Sequence, residues 1–170
     1  MERSLTRISH EIVERNEGCE NLCVVGILRR GAVLAEKLAA NVERITGTRP
    51  PLGALDIRLY RDDLSELGEQ PSVSGDGPDF DVWGKTVVLA DDVLYTGRTA
   101  RAAMEAVIRR GRPASIQLAV LIDRGHRELP IRADYTGKNV PTSRRELIEV
   151  RVMEYDGVQE VALLDWRDEN

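Results

Sequence analysis

Thr86-Val87-Val88-Leu89-Ala90-Asp91-Asp92-Val93-Leu94-Tyr95-Thr96-Gly97-Arg98-Thr99 is the stretch whose reading decides the fold of this 170-residue chain. Thr86 to Ala90 is a short unbroken apolar run, the pattern of a strand buried on both faces of a sheet. Two adjacent carboxylates, Asp91 and Asp92, stand at its carboxyl end, and a Thr-Gly-x-Thr turn then opens a helix over Thr99 to Arg110. Ser115 to Ile122 is apolar again, so strand, loop, helix and strand follow in the order of a right-handed βαβ unit in a parallel sheet. Open α/β sheets bind ligands outside the carboxyl ends of their strands, where these polar residues fall. Backbone N–H groups of the turn, the helix dipole and the hydroxyls of Thr96 and Thr99 suit a phosphate monoester. The two carboxylates suit a diol, or a divalent cation beside phosphates. A diol one sugar length from a phosphate describes a ribose 5-phosphate.

Toward the N-terminus, Leu5, Ile8, Ile12 and Val13 recur at helical spacing up to Arg15, with Gly18 closing the segment. Leu22 to Ile27 predicts a second buried strand, ended by Arg29-Arg30-Gly31, and a helix runs from Ala32 past Ile45 to Gly47 and Pro50-Pro51. Leu52 to Tyr60 alternates as a strand. Residues 61–80 have no period, a surplus of acid, two prolines and three glycines, as expected of a functional loop inside a compact domain. Beyond Asp123 a polar, proline-interrupted stretch leads to Ser143, and Leu147 to Met153 with Val161 to Leu164 predict a closing hairpin or edge strands. The expected architecture is α/β, one domain over 1–170, with a mostly parallel central sheet flanked by helices.

An apolar content of 42% with 31% charge excludes a disordered chain, and no run approaches the roughly 18 apolar residues of a membrane span. The N-terminus has no apolar signal core, so a cytoplasmic protein is expected. Cys19 and Cys23 lack the company of a zinc site or a disulfide framework and are expected to have no disulfide partner. The net charge of −5 argues against nucleic acid until it is divided along the chain. Residues 61–92 carry −7 and 146–170 carry −6, whereas 93–145 carry +7 and can meet a polyanion. The few aromatics form no cluster, so any RNA contact must rest on arginine, lysine and shape.

Asp91 to Thr99 resembles the phosphoribosyl pyrophosphate (PRPP) signature of type I phosphoribosyltransferases. A solvated strand end and an ordinary helix start are each common alone; behind one buried strand they are specific together. Neither G-x₄-G-K-[ST] nor G-x-G-x-x-G occurs. With Leu59-Tyr60-Arg61-Asp62-Asp63-Leu64 and the long run Ile122-Asp123-Arg124-Gly125-His126-Arg127-Glu128-Leu129-Pro130-Ile131-Arg132-Ala133-Asp134-Tyr135, the resemblance narrows to the PyrR family. Members of that family are bifunctional pyrimidine operon regulators and uracil phosphoribosyltransferases.

The resemblance implies a type I phosphoribosyltransferase fold with a small hood, drawn with the edge strands from 123–170, and a flexible flap over 61–81. It implies uracil plus PRPP giving UMP and pyrophosphate. The 5-phosphate would lie on Tyr95, Thr96, Gly97, Arg98 and Thr99, and the ribose hydroxyls on Asp91 and Asp92, which with Arg61 are the expected catalytic residues. Magnesium (Mg2+) would bridge pyrophosphate and ribose oxygens beside Asp91 and Asp92. Arg29, Arg30 and Gly31 would meet pyrophosphate, with a non-proline cis bond between Arg29 and Arg30, although Leu28-Arg29 stands where relatives commonly show Lys-Thr. Asp123, Arg124, Gly125 and His126 would form the uracil hood. Tyr95 replaces the aspartate that purine enzymes carry as a proton acceptor, and Asp92 is the candidate general base. The regulatory half implies a pyr mRNA leader hairpin held by Thr6, Arg7, His10, Arg15, Arg127, Arg132 and Lys138 and tuned by UMP or UTP, in a homodimer or higher homo-oligomer. Two alternatives are a nucleotide-sensing regulator with a vestigial site and a salvage transferase without RNA.

Overall fold

In the computed structural model, which describes residues 1–57 and 79–165, five strands form an all-parallel sheet in the order β2-β1-β3-β4-β5. The chain begins with α1 (Glu2–Arg15), β1 (Leu22–Ile27), α2 (Arg30–Thr46) and β2 (Leu52–Leu55). It continues through β3 (Thr86–Leu94), α3 (Arg98–Arg110), β4 (Ser115–Asp123) and β5 (Tyr135–Asn139). Then follow β6 (Glu146–Arg151), the single turn α4 (Met153–Asp156) and β7 (Glu160–Asp165), with β6 and β7 paired antiparallel apart from the main sheet.

The unbroken apolar strands are explained by burial on both sides. Val24, Val88, Ala90, Ala119 and Leu121 pack with Leu5, Ile8 and Ile12 of α1 and with Leu34, Leu38 and Val42 of α2. The alternate positions Cys23, Val25, Val87, Leu89, Leu118 and Val120 face Ala102, Ala103, Ala106 and Val107 of α3. Each fully buried valine or leucine stabilises this sandwich by about 1.5–3 kcal/mol.

The strand order places the site. From β1 the chain passes outward to β2 on one side, and it returns as β3 on the other, whence β4 and β5 continue. The loops leaving β1 and β3 therefore diverge, which opens a crevice at the carboxyl edge of the sheet.

The buried strands and the three long helices lie where the sequence predicts them, with α1 starting earlier, at Glu2, and the closing hairpin carrying α4 between its strands. Strand β3 runs four residues past Ala90 and pairs Leu94 with Asp123, so Asp91 and Asp92 belong to the strand itself. Strand β5 falls in the stretch expected to be irregular, because Tyr-Thr-Gly-Lys-Asn offers a single buried side chain, Tyr135. Its Gly137 packs so closely on β4 that a Cβ would lie 2.4 Å from the Leu121 carbonyl oxygen. Residues 61–78 of the expected flap, Arg61 among them, and the end of the strand expected over Leu52 to Tyr60 lie outside the described residues.

Cys19 and Cys23 are both free and buried. Burial pushes the Cys23 thiol up to about 11, which leaves little thiolate near neutrality. Iodoacetamide at pH 8 should therefore modify Cys23 only after unfolding, as read by mass spectrometry; rapid native labelling would contradict its burial.

Candidate active site

Two adjoining cavities occupy the crevice. The first, of about 400 Å³, is lined by Leu28, Arg29 and Arg30 from the loop after β1, by Asp56 after β2, and by Asp91 and Asp92. The second, of about 350 Å³, is lined by the turn Tyr95 to Arg98 and by Glu128. Asp91, Val93 and Thr99 line both, so the carboxylates stand between a basic loop and the N-terminus of α3.

Each carboxylate is held by the backbone that follows it. The Asp92 N–H donates to Asp91 Oδ1 at 2.9 Å and the Val93 N–H to Asp92 Oδ1 at 2.8 Å. Asp91 is buried at 8% exposure, while Asp92 is half-buried. After β3, Gly97 adopts a left-handed φ of 93° as the N-cap of α3 and supplies no side-chain cap. The first-turn N–H groups after Arg98 thus keep their donor capacity, and with the helix dipole they suit an anion. The Arg98 N–H reaches Thr96 Oγ1 at 3.3 Å, and the N–H groups of Glu128 and Leu129 clamp the Thr96 carbonyl at 3.0 and 3.1 Å. The Arg98 side chain pairs with Glu128 at 2.8 Å.

At the other wall, the non-proline cis bond joins Leu28 to Arg29, one residue before the Arg29–Arg30 position expected from the sequence. The sheet and helix boundaries account for the difference. The Leu28 N–H still bonds the Leu55 carbonyl in the sheet, and Arg30 is already in α2, so the reversal falls between Leu28 and Arg29. Gly31 is required next, because a Cβ there would lie 2.5 Å from the Ala90 carbonyl oxygen.

The expected hood begins at Asp123, whose Oδ1 accepts the Gly125 N–H at 3.0 Å. Gly125 and His126 both have positive φ, 80° and 58°, and the segment is tied to the end of β3 and the turn after it, Arg124 N–H to the Leu94 carbonyl and Glu128 N–H to the Thr96 carbonyl, while residues 123–126 themselves line neither cavity. Arg124 is 4% exposed; its Nε donates to Thr142 Oγ1 at 3.1 Å, its Nη2 meets the carbonyls of Ser143 and Glu146, and its guanidinium lies 4.2 Å from the Tyr95 ring centroid. His126 stands edge-on to the same ring at 6.1 Å and donates Nε2–H to the Thr142 carbonyl at 2.6 Å. The Tyr95 ring is therefore fixed between two cationic or polar neighbours, a support the sequence does not reveal.

Residues 1–152 match the family model described as the phosphoribosyl transferase domain. The chain is 61% identical over 163 residues to the Bifunctional protein PyrR of Caldicellulosiruptor bescii, covering 96% of this chain and 90% of that protein. It is 62% identical over 163 residues, with the same coverage, to the Bifunctional protein PyrR of Pelotomaculum thermopropionicum. The chain belongs to the PyrR family of phosphoribosyltransferases. A solved hypoxanthine phosphoribosyltransferase of Staphylococcus aureus shares its fold at 20% identity, with a TM-score of 0.67 over 100% of this chain and 91% of that one. The parallel sheet and its crevice are thus the type I phosphoribosyltransferase fold.

Most residues expected at the PyrR-family site meet in the crevice: Arg29, Arg30, Asp91, Asp92 and the turn Tyr95 to Thr99 line its cavities, and Gly31 packs against β3 behind them. Asp56 and Glu128 also line them and were not expected; the sequence sets Asp56 inside a strand from Leu52 to Tyr60, whereas β2 ends at Leu55 and leaves it at the carboxyl edge of the sheet.

Of the expected RNA residues, Thr6, Arg7, His10 and Arg15 are exposed on α1. Helix α1 lies along the edge strand β5, where Arg7 Nη2 donates to the carbonyls of Thr136 and Gly137 at 2.9 and 2.7 Å. Arg15 pairs with Asp134 at 2.7 Å, and that hydrogen bond raises the arginine pKa. Exposed Lys138 lies on β5 itself and exposed Arg132 in the loop leading into it. Arg127 is turned inward instead. Its Nε donates to the Ile131 carbonyl at 2.9 Å, its Nη1 to the Tyr95 and Gly125 carbonyls at 2.8 and 3.2 Å, and its Nη2 to Asp123 Oδ2. It fastens the hood segment to the turn that follows β3.

Proposed function

We propose that this chain transfers the phosphoribosyl group of PRPP to uracil, giving UMP and pyrophosphate, and that it binds a pyr mRNA leader under the control of uridine nucleotides. The observation that carries the reading is the pair of adjoining cavities that share Asp91 and Thr99 at the switch point of the sheet in a PyrR-family chain. The 5-phosphate takes the N–H groups of the Thr96 to Thr99 turn. The ribose hydroxyls donate to Asp91 and Asp92, and the pyrophosphate lies against Leu28 to Gly31. Uracil N1 attacks C1 of the ribose as the bond from C1 to the pyrophosphate oxygen breaks. Positive charge grows at C1 in this step, beside two carboxylates held in advance of it. Asp92 would take the proton from N1.

The adjacent carboxylates Asp91 and Asp92, lining the cavity beside Arg29 and Arg30, have the chemistry to hold a magnesium ion together with substrate oxygens. Bound there beside Asp91 and Asp92, it would neutralise charge on the departing pyrophosphate.

Incubation with uracil, PRPP and magnesium should yield UMP; no UMP formation would remove the transferase half of the reading. For the RNA half, exposed Lys138 lies on β5, the strand along which α1 packs, and exposed Arg132 in the loop leading into it, and neither has an ion pair with another described residue. Phosphate contacts from this face make affinity fall steeply with salt. Arg132→Ala with Lys138→Ala should weaken retention of a pyr leader hairpin and reduce the slope against log salt by about one per lost contact. Retention unchanged in both respects would move the interface off this face.

A further inference from the structure

The C-terminal turn α4 reaches the cleft. Asp156, the last residue of α4, accepts the Arg30 fork at both oxygens, Nε to Oδ2 at 3.2 Å and Nη2 to Oδ1 at 2.8 Å. Glu149 on β6 adds a weaker contact to Arg30 at 3.9 Å. Asp156 is itself oriented, since the Val152 N–H donates to Oδ2 at 2.7 Å and the Asp156 N–H returns to the Val152 carbonyl at 2.8 Å. Val150 and Val152 are fully buried in the main core, so this turn is anchored relative to the sheet. Arg30 lines the first cavity beside Asp91 and Asp92. Its Nη1 makes no hydrogen bond to another described residue, which leaves a donor for a ligand in that cavity.

We infer that Asp156 is a positioning residue that fixes the Arg30 guanidinium to receive the pyrophosphate group of PRPP. The inference deepens the transferase reading and rests on it for the identity of the anion. A two-point carboxylate contact fixes both the plane and the direction of a guanidinium, which a single contact cannot do. The pair is 126 residues apart in sequence, so the C-terminal hairpin becomes part of the pyrophosphate subsite. The hydrogen bond raises the Arg30 pKa and, with the Val152 N–H, holds the Asp156 carboxyl below its usual range. Both groups therefore remain charged through the working pH range.

The test is steady-state kinetics of Asp156→Asn and Asp156→Glu, with magnesium pyrophosphate binding measured by calorimetry. Asp156→Asn should raise the KM for PRPP about tenfold, leave the KM for uracil within about twofold, and weaken pyrophosphate binding in parallel. Asp156→Glu should restore part of the loss. In an Arg30→Ala background Asp156→Asn should add nothing. Unchanged PRPP and pyrophosphate affinity would overturn the inference, as would tighter binding, which would make Asp156 a competitor of the anion. If the wild type makes no UMP but pyrophosphate binding still depends on Asp156, the transferase reading falls and the inference stands.

Discussion

Asp92→Asn should lower kcat/KM for PRPP about a hundredfold while leaving the melting temperature within about 2 °C of the wild type. The amide keeps the shape of the carboxylate and can still offer an oxygen to the Val93 N–H, which donates to Asp92 Oδ1. What disappears is the negative charge that the proposed mechanism sets beside the ribose and C1, which matters most when positive charge develops in the transition state. The loss should therefore appear in kcat as well as in KM. An undiminished rate would move the ribose and the reacting bond away from β3.

Gly31→Ala should cost about 2–3 kcal/mol, a fall of about 5–10 °C in melting temperature, and should abolish most activity in the fraction that remains folded. The added methyl would lie 2.5 Å from the Ala90 carbonyl oxygen and 3.3 Å from Asp91 Cα, and both are backbone of a buried strand. Relief requires α2 to move off β3, and the start of α2 is one wall of the cleft. The lesion would thus strain the core and separate Arg30 from Asp91 together. Unchanged thermal unfolding and kinetics would mean that the loop and β3 are not in this contact.

The central strands and helices were legible because their signals are local. Val87 to Ala90 and Val24 with Val25 must be apolar on alternate faces that α1, α2 and α3 all cover, and that leaves unbroken runs in the sequence. The turn after β3 was legible for a similar reason, since Gly97 takes a positive φ where the helix opens. Strand β5 was not, because it has one buried side chain and a glycine pressed on its neighbour in place of an apolar alternation. The cis bond was expected one residue late, since the sequence alone does not show that α2 already begins at Arg30. Side-chain commitments made across long separations were also beyond it. Arg127 reads as one more surface cation in a basic block until its hydrogen bonds to Tyr95, Gly125, Ile131 and Asp123 are seen. The Arg30–Asp156 pair likewise needs the fold to bring β6 and α4 beside α2.

The division of the cleft is tested most directly by the structure of the chain with magnesium and PRPP bound at a temperature that halts turnover. The 5-phosphate should lie within hydrogen-bond distance of the N–H groups of Thr96 to Thr99, the ribose hydroxyls on Asp91 and Asp92, and the pyrophosphate against Arg30. A 5-phosphate found at the Leu28 to Gly31 loop, or PRPP bound outside the crevice between β1 and β3, would contradict the account.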